Sequence, residues 1–422
     1  MTSNLLGRPT PQSILALGEI VELVLSFLPA RDLANTSQVC RLWRDMTKRV
    51  FRFRKSKWAS FVVHHGTPPT STPCSSKLSM DLMVSRINDF LENLRIFPAA
   101  AIIFVSRSQD YCEARRDEVR GLITSVKSRL PASCTVIGCV GNGILGCEEG
   151  EKPEEIEMAE GVSLLIMPKV DGVSTCTFNM SCTDVRNNRS FKSRWETSLN
   201  IPADKQLKFA ILFAKGDIYN LDIIGKVASG IWQINGCEDG EKSNIVIIGG
   251  LVDSLLFVDN EIKNTGVIGL GISGEDVQAV SIVHHGETAD GVTKSLQQLH
   301  NFDVSCSESC ACFMVSCVGR GEKFYSARNV ESRIFKQVFP KVPIGGFFGN
   351  GELGLDLQST EGQPLKDSHF LHSYSSVFCL CSLEAGKRTV ESINPSLTTG
   401  SSSKQHDQGE VYKYNTWKKF LV

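Results

Sequence analysis

The chain has 422 residues, 41% hydrophobic and 22% charged, with a formal net charge of -1 at pH 7. Such a length holds two or three domains, and so small a net charge excludes bulk attraction to nucleic acid or to an anionic membrane. No run reaches the roughly 18 uninterrupted apolar residues of a spanning helix, and no basic, apolar and small-residue leader opens the sequence, so the chain is expected in the cytoplasm and nucleus.

Residues 1–13 carry Gly7, Pro9 and Pro11 without periodicity and read as a flexible lead. Between Glu19 and Leu28 the polar positions are only Glu19, Glu22 and Ser26, which leaves a helix face wider than the usual ~100° of apolar surface. Pro29 cannot continue that helix, so a second is expected from about Asp32, a suitable N-cap. Val39, Leu42, Trp43, Met46 and Val50 then recur at the spacing of a third amphipathic helix. Three helices in about 45 residues bury too little of their own surface to stand alone, which calls for cover from a partner protein. From Arg41 to Lys57 run eight basic residues, Arg41, Arg44, Lys48, Arg49, Arg52, Arg54, Lys55 and Lys57, against Asp45 alone. That run fits a solvated face or, as the competing reading, a helix-turn-helix entering a major groove; the greasy first helix and the near-zero net charge weigh against the groove.

Leu25-Ser26-Phe27-Leu28-Pro29-x-x-Asp32-Leu33, followed by Val39-Cys40-x-x-Trp43, resembles the F-box, through which a protein docks on the Skp adaptor of a cullin-based ubiquitin ligase. The pattern covers residues 14–58. In one departure, the Leu-Pro that usually opens the first helix is Leu17-Gly18, and glycine lacks the pre-set φ of proline. The resemblance implies that Leu23, Val24, Phe27, Leu28, Pro29, Leu33 and Trp43 supply the fold of the module or its adaptor contact. It also implies the Skp adaptor and the cullin-RING core as partners.

Residues 59–76, with Pro68, Pro69, Pro73 and a run of Ser and Thr, read as a linker. His64 and His65 are adjacent, so their side chains diverge, and they read as loop residues and not metal ligands. Leu78, Leu82, Ile87, Phe90, Leu91 and Leu94 mark a helix ended by Pro98.

From residue 99 the chain repeats itself. A strand over 99–105, a helix near 118–130 and a strand over 135–140 end in Gly141-Asn142-Gly143-Ile144-Leu145-Gly146. A strand over 312–318, a helix over 330–339 and a strand over 342–348 end in Gly349-Asn350-Gly351-Glu352-Leu353-Gly354. Counted from Gly138 and Gly346, the two endings agree at six of nine positions. Residues 208–213, a helix to about 234, and 245–248 closing on Gly249-Gly250 form a weaker copy between them. Duplication is the simplest account. Continuous apolar strands joined through helices imply an α/β body with a largely parallel sheet, supplemented by strands at 162–167, 267–272, 277–283 and 374–383. Ligand space is then expected at the carboxyl ends of the strands.

Both endings spell G-x-G-x-x-G. That motif binds a dinucleotide only with a helix behind it and an acid about 20 residues on, whereas seven glutamates fall within residues 147–160 and no helical period follows Gly354. Gly141, Gly143, Gly349 and Gly351 are therefore read as turn glycines that permit close backbone packing. No cofactor is expected.

Val136-Ile137-Gly138-Cys139, Gly249-Gly250, Cys317-Val318-Gly319-Arg320-Gly321 and the glycine ending from Gly345 to Gly354 resemble the FIST sensory domain. The likeness covers residues 77–384, with 77–205 as a FIST N-like domain and 206–384 as a FIST C-like domain. It implies small-ligand binding without a catalytic reaction.

If the sheet is parallel, Cys317, Arg320, Asn350 and Glu352 share one set of strand ends. A neighbouring arginine lowers a thiol's pKa, which makes Cys317 a candidate reactive cysteine, set against the plainer reading of a buried strand-end thiol. Fifteen cysteines at irregular spacing, mostly inside apolar runs, read as reduced core residues, and Cys306, Cys310, Cys312 and Cys317 lack the C-x-x-C spacing of a zinc site. His284, His285, His369 and His372 read as satisfied structural residues. Residues 385–422 read as a disordered tail whose end, Tyr412 to Phe420, is either a short docking peptide or an unstructured terminus.

Together these readings describe a small all-α module followed by a duplicated α/β body, acting as the non-catalytic substrate receptor of an SCF-type (Skp–cullin–F-box) ubiquitin ligase. The F-box holds the adaptor and the body holds protein substrates for degradation. The alternatives are a small-ligand sensor and an enzyme built on Cys317 and Glu352.

Overall fold

The computed structural model describes residues 11–54, 57–64, 76–107, 114–187, 192–199, 201, 206–215, 222–235, 245–302, 304–355 and 369–384. Part of the expected linker and all of the tail from residue 385 lie outside them.

The N-terminal module is three helices, α1 Pro11–Leu25, α2 Ala30–Thr36 and α3 Arg41–Phe53. Leu25, Leu33, Met46 and Val50 form its core, with Val21, Leu28, Leu42 and Trp43 half-buried around them. The first helix starts at Pro11, a residue suited to a first turn, so residues 11–13 are helical and not a flexible lead, and the helix does not depend on Gly18 to begin. Gly18 is instead buried against α3, where an added Cβ would sit 3.8 Å from the Met46 sulfur. The second helix starts at Ala30 behind Pro29, with Asp32 inside the first turn and not capping it. There its carboxylate opposes the positive end of the helix.

The body is one unit written three times, one copy more than duplication requires. The first unit runs β1 Ala59–His64, α4 Ser76–Glu92, β2 Pro98–Ser106, α5 Ala114–Arg129, β3 Thr135–Gly141, a hairpin of β4 Gly143–Gly146 and β5 Glu154–Glu157, and β6 Gly161–Pro168. The second runs β7 Ser174–Met180, α6 Cys182–Asn187, α7 Lys192–Leu199, β8 Leu207–Lys215, α8 Ile223–Ile234, β9 Val246–Leu251, a hairpin of β10 Leu256–Val258 and β11 Glu261–Lys263, and β12 Gly266–Ser273. The third runs β13 Gln278–His284, α9 Ala289–His300, β14 Cys310–Cys317, α10 Glu322–Tyr325, α11 Val330–Val338, β15 Ile344–Gly349, β16 Glu352–Leu353, β17 Leu371–His372 and β18 Ser376–Ser382. Residues 59–64, expected in a linker, are thus the first strand of the body.

Three six-stranded sheets result, ordered β1-β6-β2-β3-β10-β11, β7-β12-β8-β9-β16-β17 and β13-β18-β14-β15-β4-β5. Each unit supplies four strands to its own sheet and lends its hairpin to another. The first unit's hairpin joins the third sheet, the second's joins the first, and the third's joins the second. The sheets are mixed already within each unit, as where β6 runs antiparallel to β1 and to β2 while β2 runs parallel to β3, which corrects the largely parallel sheet expected above. Only β2 with β3, β8 with β9 and β14 with β15 run parallel among the described strands. The apolar runs suggested parallel strands because both faces of each sheet are covered, and burial on two faces erases the alternation that marks an antiparallel strand.

The inner faces of the three sheets meet in one core. Phe104, Phe213 and Phe347, one from each unit, form a triangle with ring centroids 5.6 to 5.8 Å apart. The outer faces pack under helices: α4 and α5 on the first sheet, α6 to α8 on the second, α9 and α11 on the third. Gly138, Gly249 and Gly346 stand opposite Ile103, Leu212 and Met314 in the parallel pairs. A Cβ at those glycines would fall 1.8, 1.9 and 1.7 Å from the facing carbonyl oxygens, so glycine at this point is what lets the paired strands approach in every unit.

Candidate functional site

Two regions carry chemistry that the fold alone does not require. One is the outer face of the helical module. Leu17, Ile20, Leu23, Val24 and Phe27 are all exposed on or just beyond α1, with Leu23 at 61% and Phe27 at 71%, and Val39, in the loop before α3, is exposed as well. This is contiguous apolar surface of the kind that marks a protein interface. Leu28, Pro29 and Trp43 are half-buried. Leu33 is fully buried and belongs to the module's core, not to a contact surface. Leu17, Ile20 and Val39 were missed as surface residues because helical period alone does not say which apolar side chains the small core can hold.

The module is seated on the body by its backbone. The Ala30 N–H donates to the Leu94 carbonyl at 2.7 Å, the Arg54 guanidinium to the Arg95 carbonyl at 2.6 Å and the Arg95 guanidinium to the Ser26 carbonyl at 2.5 Å. Phe51 meets Phe97 edge-on at 6.0 Å. Charged donors to carbonyls are stronger than neutral ones, so the apolar face is held at a fixed angle to the three sheets.

The second region is the set of strand ends. Asn142, Asp253 and Asn350 each lie four residues beyond Gly138, Gly249 and Gly346 and converge where the three units meet. The Asn142 amide donates to Asp253 Oδ2 at 3.3 Å, and Asn350 donates to the same oxygen. Asn350 therefore belongs to an exposed junction between units and does not face Cys317. Of the four turn glycines only Gly351 has a positive φ, at 153°. At Gly141, Gly143 and Gly349 a Cβ would fall within 3.0 Å of Phe348 or Leu251 atoms, so close packing is their constraint.

Arg320 is 1% exposed and fully engaged. Its Nε and Nη2 lie 2.8 Å from Glu331 Oε1, Nη1 reaches the Tyr374 carbonyl at 3.1 Å and Nη2 the Gly286 carbonyl at 2.8 Å. Glu331 in turn accepts from Tyr325 at 2.6 Å and from Ser376 at 2.6 Å, and Ser376 meets Ser316 at 2.7 Å. This is a satisfied buried network whose charge is neutralised within it. The expectation that Arg320 activates Cys317 is thereby corrected: burial, helped by the nearby Glu352 carboxylate, raises the Cys317 thiol above its ordinary value. The Gly319 N–H points at the sulfur from 3.4 Å.

Glu352 is the outlier. Its side chain is fully buried, and Oε2 accepts from the Ser375 N–H at 3.2 Å and the Ser375 hydroxyl at 2.7 Å. Oε1 is buried and receives no hydrogen bond from a nitrogen or oxygen, and the Cys317 thiol is a further donor beside the carboxyl. Burial pushes its pKa up to about 7, against the pull of Ser375, Cys317 and Arg320. Cys317 and Glu352 thus do come together, the carboxylate holding the thiol up and the thiol's hydrogen bond favouring the carboxylate.

Three stretches of the chain match family models: F-box-like over residues 19–55, the FIST N domain over 99–293 and the FIST C domain over 265–355. F-box only protein 22 of Pongo abelii is 30% identical over 397 residues, 88% of this chain and 94% of its own. The protein of that name from Homo sapiens gives the same identity and coverage. An F-box/LRR-repeat protein of Arabidopsis thaliana is 41% identical over 73 residues, 17% of this chain and 13% of its own. Among solved structures, cyanuric acid hydrolase from A. caulinodans matches 77% of this chain and 99% of its own at 10% identity and a TM-score of 0.35, too slight a likeness to carry an argument. With an F-box-like module ahead of FIST domains, and relatives matched along nearly their whole length, the chain belongs to the F-box only protein 22 family.

Proposed function

We propose that the protein is the substrate-recognition subunit of an SCF-type ubiquitin ligase in the cytoplasm and nucleus. The apolar face of α1 binds a Skp adaptor, and the three-unit body holds target proteins for ubiquitination and proteasomal degradation. The observation that carries this reading is the exposure of Leu23, Val24 and Phe27 on a module whose own core is already complete. Its contribution is proximity: a target held at a fixed angle to the adaptor sees a high effective concentration of the ubiquitin thioester, with no side chain of this chain doing chemistry. The test is co-expression with a Skp adaptor and size-exclusion chromatography of the wild type beside Leu23→Asp/Phe27→Asp. A complex formed by the wild type and lost in the variant supports the role; a wild type that elutes alone overturns it.

A second reading, sensing of a small ligand by the body, is favoured by one observation. Glu352 places a buried carboxyl beside Cys317 with one oxygen that no nitrogen or oxygen donor reaches, and an apolar side chain would cost less there. Thermal-shift screening of wild type and Glu352→Gln tests it: a ligand that stabilises only the wild type supports sensing through this carboxyl, and equal shifts overturn it.

A further inference from the structure

A groove of about 800 Å³ follows the outer edge of β1. Residues 57–61 form one side, Arg86 and Phe90 of α4 the other, and Glu148 and Glu149, beyond β4, close it. Among the described strands β1 ends its sheet and pairs with β6 alone, so one row of its peptide groups has no described strand beside it. A free edge of this sort is a template for another strand. The groove is aromatic, with Phe61 stacked on Phe90 at 4.8 Å and the Arg86 guanidinium over the Phe61 ring at 5.8 Å. Lys57 already pairs with Glu149, and Arg86 with Glu148, so recognition here rests on backbone and aromatic contact more than on net charge.

The end of the last sheet leads the chain to this place. The Leu383 N–H donates to the Ser309 carbonyl at 3.2 Å, and Glu384 accepts from the Ser307 hydroxyl at 3.0 Å. Between those two serines, the Glu308 carbonyl accepts from the Trp58 N–H at 3.1 Å, and Trp58 lines the groove. Residues 385–410 follow, enough chain to span roughly 90 Å if extended. They lead to Val411-Tyr412-Lys413-Tyr414-Asn415-Thr416-Trp417-Lys418-Lys419-Phe420, a stretch built largely from strand-forming aromatic and β-branched residues with interspersed lysines.

We propose that residues 411–420 of this chain dock in the groove as an added strand on the free edge of β1, with their aromatic rings against Phe61 and Phe90. Tethering makes the association intramolecular, at an effective concentration that short-range linkers set near millimolar, so modest contacts suffice. The groove wall at Leu94 and Arg95 is the wall that carries the helical module. A docked tail therefore braces the joint between the adaptor-facing helices and the body.

Amide hydrogen exchange of residues 58–64 tests this, comparing the full chain with its Tyr412→Ser/Tyr414→Ser/Trp417→Ser variant, whose changes leave every described residue in place. The expected result is at least tenfold faster exchange in the variant, restored by excess synthetic peptide of residues 409–422. The groove-side variant Asn93→Arg should show the same loss. Equal exchange in wild type and tail variant overturns the proposal and leaves the groove to another protein. Wild-type protection that rises with protein concentration also overturns it, by assigning the groove to the tail of a second copy.

Discussion

Ile144 and Glu352 occupy the same position in the first and third units, six residues beyond glycines that face their parallel partner strands in the same way. An aliphatic side chain fills the place in one copy and a buried carboxyl in the other. Substitution of Glu352 by glutamine is expected to flatten the dependence of stability on pH. The folded pKa of about 7 lies above the ordinary 4.5, so between those values the unfolded chain releases a proton that the folded protein keeps. Stability contributed by this group is therefore present below pH 4.5, falls as pH rises to about 7 and is level beyond. Urea denaturation at pH 5, 6, 7 and 8 should show the wild type losing on the order of 1–3 kcal/mol more than Glu352→Gln across that range. Glu155, pushed up to about 7 by burial, keeps part of the slope in both. Parallel profiles would mean that Glu352 is not titrating there.

The same substitution should make Cys317 more reactive. Removing the carboxylate takes away one of the influences that hold the thiol up, so a larger fraction is thiolate at pH 8. Alkylation followed by peptide mass spectrometry is expected to show labelling of Cys317 several-fold faster in Glu352→Gln, with the exposed Cys40 as an unchanged internal reference. An unchanged or slower rate at Cys317 would disconnect the two groups.

Leu33 and Phe27 should separate stability from adaptor binding. Leu33→Ala opens a cavity in a four-residue core and is expected to cost about 2–5 kcal/mol to the helical module. Phe27→Ala removes an exposed ring, so the melting of the module should stay within about 0.5 kcal/mol while adaptor affinity drops at least tenfold. Calorimetric titration of both variants with a Skp adaptor checks the contrast.

Glycine substitutions should sort by what a methyl group would meet. Gly346→Ala drives a Cβ into the Met314 carbonyl, 1.7 Å away, and is expected to destabilise by 3 kcal/mol or more or to prevent folding, an order of magnitude set by overpacking. Gly121, in α5, has no atom within 4 Å of the added methyl, and Gly121→Ala should raise stability by about 0.5–1 kcal/mol. Thermal denaturation of the two variants decides it.

Much of the architecture was legible in the residues. The six-of-nine match between the glycine endings reports a real equivalence, because Gly138 and Gly346 face carbonyls of their partner strands at the same register. Strands at 162–167, 267–272 and 277–283 stand out because long apolar runs survive when both faces of a sheet are buried. That same double burial concealed strand direction, and nothing local in residues 143–157 says that their hairpin pairs with β15, some 200 positions away. At the site, Cys317 and Glu352 were found by their place at the strand ends. The engagement of Arg320 with Glu331 was hidden, since a helix packing back over the sheet sets that contact and sequence spacing does not. The surface of α1 was half legible: its excess of apolar residues was evident, but only the small size of the module's core shows that Leu17 and Ile20 are left outside.

The exchange of hairpins among the units orders events during synthesis. The first sheet lacks its last two strands until residue 263 has been made, the second until residue 372, and the third has no strand of its own until the other two units have been translated. The helical module, complete by residue 53, emerges long before any sheet can close. For that interval the chain has its helical segments without a closed sheet behind them, and open strand edges that invite misassociation. The apolar face of α1 is therefore complete in sequence about 210 residues before the first sheet has all its strands, 53 against 263.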